Sequence, residues 1–221
     1  MPLQRHAVDF ETLTPGTLAE WRDIPSAIVS DCMNRTHVMA AAIKPVKPGT
    51  RLLGQARTVT GMVGDNGISH AAIALARKGE VMVIDAGGYD DVAVWGGIMT
   101  HAAMKRGLKG VVIDGAIRDA AEIRELGFPC FASANVPAGP HKGFGGIIDG
   151  PISCAGCPVK PGDLVIGDDD GVCIVPLEWA NDMLAASREK LRQEEDILKQ
   201  IAEGKTSAEL LDIGEPEIIG E

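Results

Sequence analysis

The sequence predicts an α/β fold in a single domain closed by a C-terminal helix, and three observations carry that reading. First, a short β-branched run, Val111, Val112 and Ile113, ends at Gly115 and leads into a helical stretch over residues 120–126. An apolar run of that length suits a strand covered on both faces, and glycine lets the backbone turn tightly after it. Second, the order strand then helix occurs twice upstream, at 52–63 followed by 69–77 and at 80–85 followed by a helix to about 105. Third, residues 179–202 place Ala180, Met183, Leu184, Leu191, Ile197, Leu198 and Ile201 at helical spacing opposite a charged face, and Gly204 stops the pattern. With 221 residues and 45% hydrophobic content the chain can bury a real core, so one domain over 1–221 is expected, with a lead-in of about 1–20 and a loose tail of about 205–221.

In order along the chain, the lead-in holds Pro2, Pro15 and Gly16 without a sustained period. Residues 26–33 read as a short helix with Ser26 as a possible cap, and Asp31 sits on its solvated face. The alternation of Ala56, Thr58 and Thr60 suggests that strand 52–63 is half-buried. Gly64, Asp65, Asn66 and Gly67 close it; their amides could hold an anion, although a turn with a cap explains them more simply. Strand 80–85 runs into Ala86, Gly87 and Gly88, then a charged loop of Tyr89, Asp90 and Asp91. That stretch looks like a nucleotide-binding loop, but it lacks the G-x-G spacing and a later acidic residue of ribose type. Gly96 and Gly97 open the next helix, which ends at Gly107. Two glycines there let backbone N–H groups approach a carboxylate closely, or relieve crowding against the sheet. Residues 128–131 are extended and 135–146, rich in glycine and proline, form a long exposed loop. Two apolar strands within 159–176 flank Asp168, Asp169, Asp170 and Gly171, a hairpin signal rather than a calcium loop.

Several function classes drop out. A net charge of -10 and a pI near 5.0 repel phosphate backbones and anionic membranes, so no nucleic-acid or membrane partner is expected and an anionic substrate needs a local cationic pocket. Five cysteines do not make a disulfide framework and suit a reducing, cytoplasmic setting, and the N-terminus has no signal-peptide core. Cys154 and Cys157 form a lone C-x-x-C with no second pair, and the five histidines lack metal-site spacing. What remains is the end of the opening strand. Arg118 and Asp119 follow it directly, and Asp119 falls at the N-terminus of a helix, either as a plain cap or as part of an active-site edge.

Taken together, Ser30-Asp31, Gly64-Asp65-Asn66, Gly79-Glu80-Val81, Trp95-Gly96-Gly97, the run from Gly110 to Asp119, Gly127-Phe128-Pro129, Pro161-Gly162-Asp163 and Asp168 to Val172 resemble the RraA-like family in order and register. That family includes the 4-hydroxy-4-methyl-2-oxoglutarate/4-carboxy-4-hydroxy-2-oxoadipate aldolases. The resemblance implies a compact β/β/α fold of the swivelling-domain type, and a homotrimer or hexamer with sites between subunits. Some members carry the label menaquinone methyltransferase, which the missing glycine pattern argues against here.

For the site, the resemblance implies that Arg118 binds the carboxylate and 2-oxo group of a 2-oxo acid and that Asp119 holds Mg²⁺ or Mn²⁺. Gly96, Gly97, Ile98 and Met99 match the loop whose amides receive the pyruvate carboxylate. Glu194 or Glu195, from a neighbouring subunit's C-terminal helix, would complete the outer metal shell. Cleavage next to a 2-oxo group leaves a pyruvate enolate, whose charge calls for a cation and a fixed guanidinium fork. A hydrated Mg²⁺ on one carboxylate suits that task. The chain departs from the aldolase pattern at Gly97, where an acidic residue that orients a water for proton transfer is expected. Asp90, Asp91 or His101 could substitute, or the reaction could be oxaloacetate decarboxylation, which needs no hydroxyl deprotonation. The implied activity is therefore a divalent-metal-dependent lyase that releases pyruvate. A ribonuclease-binding regulator without chemistry, or a sugar-acid dehydratase on the same scaffold, are the alternatives.

Overall fold

A computed structural model describes residues 2–220, so the outermost residue of both the lead-in and the tail lies outside the described part. The elements, in chain order, are β1 (Leu3–Arg5), α1 (Pro15–Glu20), α2 (Ser26–Cys32), β2 (Lys44–Pro45), β3 (Leu52–Gly61), α3 (Gly67–Leu75), β4 (Glu80–Trp95) and α4 (Gly97–Arg106). There follow β5 (Gly110–Ile117), α5 (Ala120–Leu126), β6 (Cys130–Asn135), β7 (Gly146–Ile148), β8 (Ile152–Cys154), β9 (Cys157–Val159), β10 (Leu164–Asp168), β11 (Gly171–Val175), α6 (Ala180–Ala202) and α7 (Ser207–Leu210). This is the mixed α/β architecture with a C-terminal helix that the sequence predicts.

Strands β3, β4, β5 and β6 are parallel and adjacent in sequence order, each joined to the next through one helix. Crossovers of that kind are right-handed, so three in succession deliver α3, α4 and α5 to one face of the sheet. Side-chain alternation records this. Met82, Ile84, Val111 and Ile113 pack against Ile68, Ile73, Met99, Ala103 and Ile123 of the helices. Val81, Val83 and Val112 point the other way, onto Cys154, Cys157 and Val159 of the β8–β9 hairpin and Val172 and Ile174 of β11. A third cluster joins α2 and α6 to β10 and β11 through Ile28, Val29, Ile166, Val175 and Leu184. Each fully buried Ile or Val side chain in these layers contributes about 1.5–3 kcal/mol.

Several sequence expectations are corrected here. Strand β3 is covered on both faces rather than half-buried, because the hairpins roof the side that the helices leave open. It carries Arg57, 2% exposed, whose guanidinium bonds Glu80 at 2.7 Å and Asp149 at 2.9 Å, while Arg5 reaches Asp149 at 2.8 Å. Burial on its own would lower the Arg57 pKa, but the bonds and charges of Glu80 and Asp149 outweigh it and hold the guanidinium above its ordinary value. The lead-in is not bare: β1 pairs with β7, and α1 begins on Pro15 with Thr14 as its cap. Tyr89, Asp90 and Asp91 do not leave the sheet as a loop. They lie in a bulged excursion of β4 that returns to pair with β5. At the β10–β11 hairpin, Asp168 pairs with Gly171, so Asp169 and Asp170 form the turn.

Candidate active site

The site lies at the carboxyl ends of β4 and β5, where ligands of parallel sheets are commonly received. After its excursion β4 rejoins β5 with Ala93 opposite Ala116 and Trp95 opposite Ile117. The Arg118 amide then donates to the Trp95 carbonyl at 3.0 Å, which fixes the exit of β5 beside the entry of α4. Asp119 follows in the left-handed region, with φ 59°. For a residue other than glycine this conformation costs on the order of 1 kcal/mol, and its effect is to redirect the side chain. Asp119 makes no cap bond to its own helix; its Oδ2 crosses to accept the Gly97 N–H, the first of α4, at 2.9 Å. The plain N-cap reading is therefore corrected.

The two glycines are explained by close approach of carboxylates. A Cβ on Gly96 would stand 2.6 Å from Asp119 Oδ2, and a Cβ on Gly97 would stand 2.1 Å from Glu122 Oε2. Of the amides expected to receive a substrate carboxylate, that of Gly97 is occupied by Asp119. Those of Ile98 and Met99 have no partner among the described residues, and helix geometry leaves them pointing out of the positive end of α4. Their side chains are not part of the site: Ile98 is 76% exposed, and Met99, 2% exposed, packs inward with its Sδ accepting from Asn66.

The Arg118 guanidinium keeps a 3.6 Å contact from Nε to Asp119 Oδ2 and makes no hydrogen bond among the described residues. A cleft of about 370 Å³ opens beside it, lined by Arg118, Asp119, Ala120, Asn135, Val136 and Pro137. The glycine- and proline-rich segment 135–146 passes over the cation, close enough that a Cβ on Gly139 would stand 2.6 Å from Arg118 Nη1. Asp65 lashes this segment down by accepting from Gly67 and Gly143 at 2.8 Å and from Phe144 at 3.1 Å. The 64–67 turn thus meets its Gly67 amide with its own Asp65 carboxylate.

Sequence reasoning missed Glu122. One turn after Asp119 on α5, it bonds His101 Nε2 of α4 through Oε1 at 3.0 Å. Spacing of three on a helix was the available signal. Of the substitutes considered for Gly97, His101 lies at this corner, Asp90 bonds Ser133, and Asp91 is exposed on the β4 excursion. Glu194 and Glu195 belong to α6, which packs on α2. Glu194 lies 4.0 Å from Lys190, as does Asp31, and within one chain neither glutamate joins Arg118 and Asp119. No group of three or more His, Cys, Asp or Glu side chains is placed to hold a metal among the described residues. Nor is any helix among them long and apolar enough to cross a membrane.

An uncommitted guanidinium, a redirected carboxylate and a helix N-terminus at the end of a parallel sheet define an α/β protein suited to a small anionic molecule. The family model described as Aldolase/RraA matches residues 26–174, and the chain belongs to this RraA-like family. A Halalkalibacterium halodurans protein named, provisionally, as a 4-hydroxy-4-methyl-2-oxoglutarate aldolase is 36% identical over 178 residues, covering 80% of this chain and 85% of its own. An uncharacterised Pseudomonas syringae protein of known structure superposes with a TM-score of 0.81 at 30% identity, over 91% of this chain and 96% of that one. The RNA-processing inhibitor RraA of Thermus thermophilis superposes at 0.63 with 29% identity, over 68% of this chain and 92% of that one.

Proposed function

We propose that this protein is a divalent-metal-dependent lyase that cleaves a 2-oxo acid and releases pyruvate. The substrates are of the 4-hydroxy-4-methyl-2-oxoglutarate type, oxaloacetate, or both. The observation that carries the reading is the Arg118 guanidinium, held beside Asp119 at the carboxyl edge with no hydrogen-bond acceptor among the described residues. The aldolase name of the 36%-identical relative supports it.

In this reading the substrate's carboxylate lies against the Ile98 and Met99 amides, and Arg118 donates to its 2-oxo oxygen, where negative charge develops as the C3–C4 bond breaks. Asp119 would hold Mg²⁺ or Mn²⁺. The donor set fits such an ion, because one half-exposed carboxylate with a free second oxygen suits a cation that keeps several waters. When bound, the ion would supply positive charge that favours the developing enolate. Segment 135–146 narrows access to the cleft and limits the water that competes for the guanidinium. In a trimer or hexamer, Glu194 or Glu195 of a neighbouring copy would stand beyond Asp119.

Coupling pyruvate release to lactate dehydrogenase, with Mg²⁺ present and then chelated, tests the proposal. Turnover that requires the ion and is abolished by Arg118→Ala supports it; no pyruvate from either substrate class overturns it. The likeness to the RNA-processing inhibitor favours a second reading, a regulator that contacts a ribonuclease without chemistry. Ribonuclease capture by a chain that binds no Mn²⁺ in a titration would decide for that alternative.

A further inference from the structure

Retro-aldol cleavage needs a group that takes the proton of the 4-hydroxyl and later returns one to carbon, and neither Arg118 nor Asp119 is free to do so. A guanidinium stays protonated, and Asp119 gives Oδ2 to the Gly97 amide and, in the lyase reading, its other oxygen to the metal. We infer that Glu122 is the proton carrier of this site and that His101 is its positioning residue, an assignment that rests on the lyase reading above.

Three features of the corner point there. The Glu122 carboxylate occupies the space in front of Gly97 that any other side chain would fill, since its Oε2 lies 2.1 Å from where a Cβ would stand. The same glycine gives its N–H to Asp119 at 2.9 Å, so the two carboxylates meet the α4 N-terminus side by side. Oε1 is fixed by His101 Nε2 at 3.0 Å, whereas Oε2 has no partner among the described residues. The result is a carboxylate with one oxygen anchored and the other set against Gly97, the residue whose amide Asp119 binds. The imidazole behind it is half-exposed and opens a route for protons to solvent.

The step balances without a further reagent. Glu122 Oε2 takes the proton of the substrate's 4-hydroxyl; the oxygen's electron pair forms the new C=O as the C3–C4 bond breaks. The bonding pair moves into the C2–C3 enolate, with its charge on the 2-oxo oxygen beside Arg118. Glu122 then returns the proton to C3 and completes the methyl group of pyruvate.

The test uses the full-length protein with Mg²⁺ in deuterium oxide. Exchange of the pyruvate methyl protons is followed by NMR, alongside cleavage of 4-hydroxy-4-methyl-2-oxoglutarate and decarboxylation of oxaloacetate. Glu122→Gln is expected to slow exchange and retro-aldol cleavage by about a hundred-fold or more, the usual worth of a positioned acid-base group. Mn²⁺ binding, measured by titration, should stay within about two-fold, a result that a metal-ligand role would not give. His101→Gln should lower exchange by a smaller factor, about ten-fold. The sharpest arm moves the carboxylate: Glu122→Ala empties the space, and adding Gly97→Asp fills it from α4, so the double variant should exchange at least ten times faster than Glu122→Ala alone. Wild-type exchange in Glu122→Gln, or a double variant no faster than Glu122→Ala, overturns the inference. So does a wild type that yields pyruvate from oxaloacetate yet exchanges no methyl protons, which leaves the lyase reading standing. A wild type that neither exchanges nor releases pyruvate overturns both.

Discussion

The two ends of the parallel strands differ in a way that separates holding the fold together from acting on a ligand. At the amino ends lies the larger cavity, about 730 Å³, walled by Phe10, Leu13 and Trp21 and rimmed by Arg22, Arg51, Arg77, Lys78 and Lys109. Its polar interior is committed. Gln55 accepts from Leu13 and donates to the carbonyls of Glu11 and Gly162; Glu80 takes Arg57 and the Arg77 amide; the Arg77 guanidinium stands 5.8 Å over the Phe10 ring. These bonds fasten the N-terminal segment to the sheet. The cleft at the carboxyl ends is about 370 Å³, yet there a guanidinium, two helix amides and a carboxylate oxygen have no partners among the described residues. These side chains are half-exposed and water can serve them, so what marks the corner is that a guanidinium and two carboxylates converge on one helix N-terminus, which says more about a ligand site than cavity size does.

The largest expected effects fall on opposite sides of this comparison. Arg118→Ala should lower pyruvate release by about a thousand-fold, the upper range for losing one donor to a developing oxyanion, with the melting temperature little changed. Arg77→Ala at the other end should leave turnover within about two-fold. Were Arg77→Ala to abolish turnover and Arg118→Ala to spare it, the functional assignment of the two ends would be reversed. Arg57→Met should do the converse of Arg118→Ala. It strands the buried carboxylates of Glu80 and Asp149, and breaking a buried ion pair from one side costs about 3–5 kcal/mol. Urea titration should show that loss, while kcat per folded molecule stays near the wild-type value.

A smaller effect probes how tightly the carboxyl end is drawn. Gly96→Ala puts a methyl group 2.6 Å from Asp119 Oδ2 and 3.1 Å from Arg118 Cγ, so both functional side chains must shift. Displacement of a reacting group by about 1 Å costs on the order of a hundred-fold in rate. Steady-state kinetics should therefore show kcat falling by about that factor with only a minor loss of stability, since the chain at Gly96 is extended and tolerates a side chain conformationally.

Which parts of this were legible in the sequence follows from what each part depends on. The run from Gly110 through Asp119 and into α5 appears where the β-branched residues and Gly115 place it, because a doubly covered strand and a tight exit are local demands. The α6 helix and the β10–β11 hairpin are legible for the same reason. The excursion of β4 was not: Tyr89, Asp90 and Asp91 have the composition of a loop, and their return to the sheet is made by backbone pairing of Ala93 and Trp95. Arg57 was hidden by the alternation of β3, which casts polar residues as solvent-facing and carries no sign of the hairpin roof. Glu122 was hidden differently. Its importance comes from the empty volume at Gly97, a relation between two helices that neither segment encodes alone.

The smallest predicted effect concerns the layer between the two ends, where Cys154 and Cys157 face the sheet. Burial pushes the Cys157 thiol up to about 12, with the charge of Asp163 adding to it, and burial likewise raises Cys130 to about 12; Cys154 and Cys173 are also raised, chiefly by burial. A raised thiol pKa keeps the protonated form dominant as pH rises, and alkylation requires the thiolate. At pH 8 iodoacetamide should therefore label the native protein at Cys32, the one cysteine that is not buried, and label all five only after unfolding, as mass spectrometry would show. Labelling of Cys157 in the folded protein would mean that the hairpin roof opens. The separation of the two ends would then rest on a mobile layer rather than on a dry one, and the Arg57 and Arg118 variants would no longer be expected to act independently.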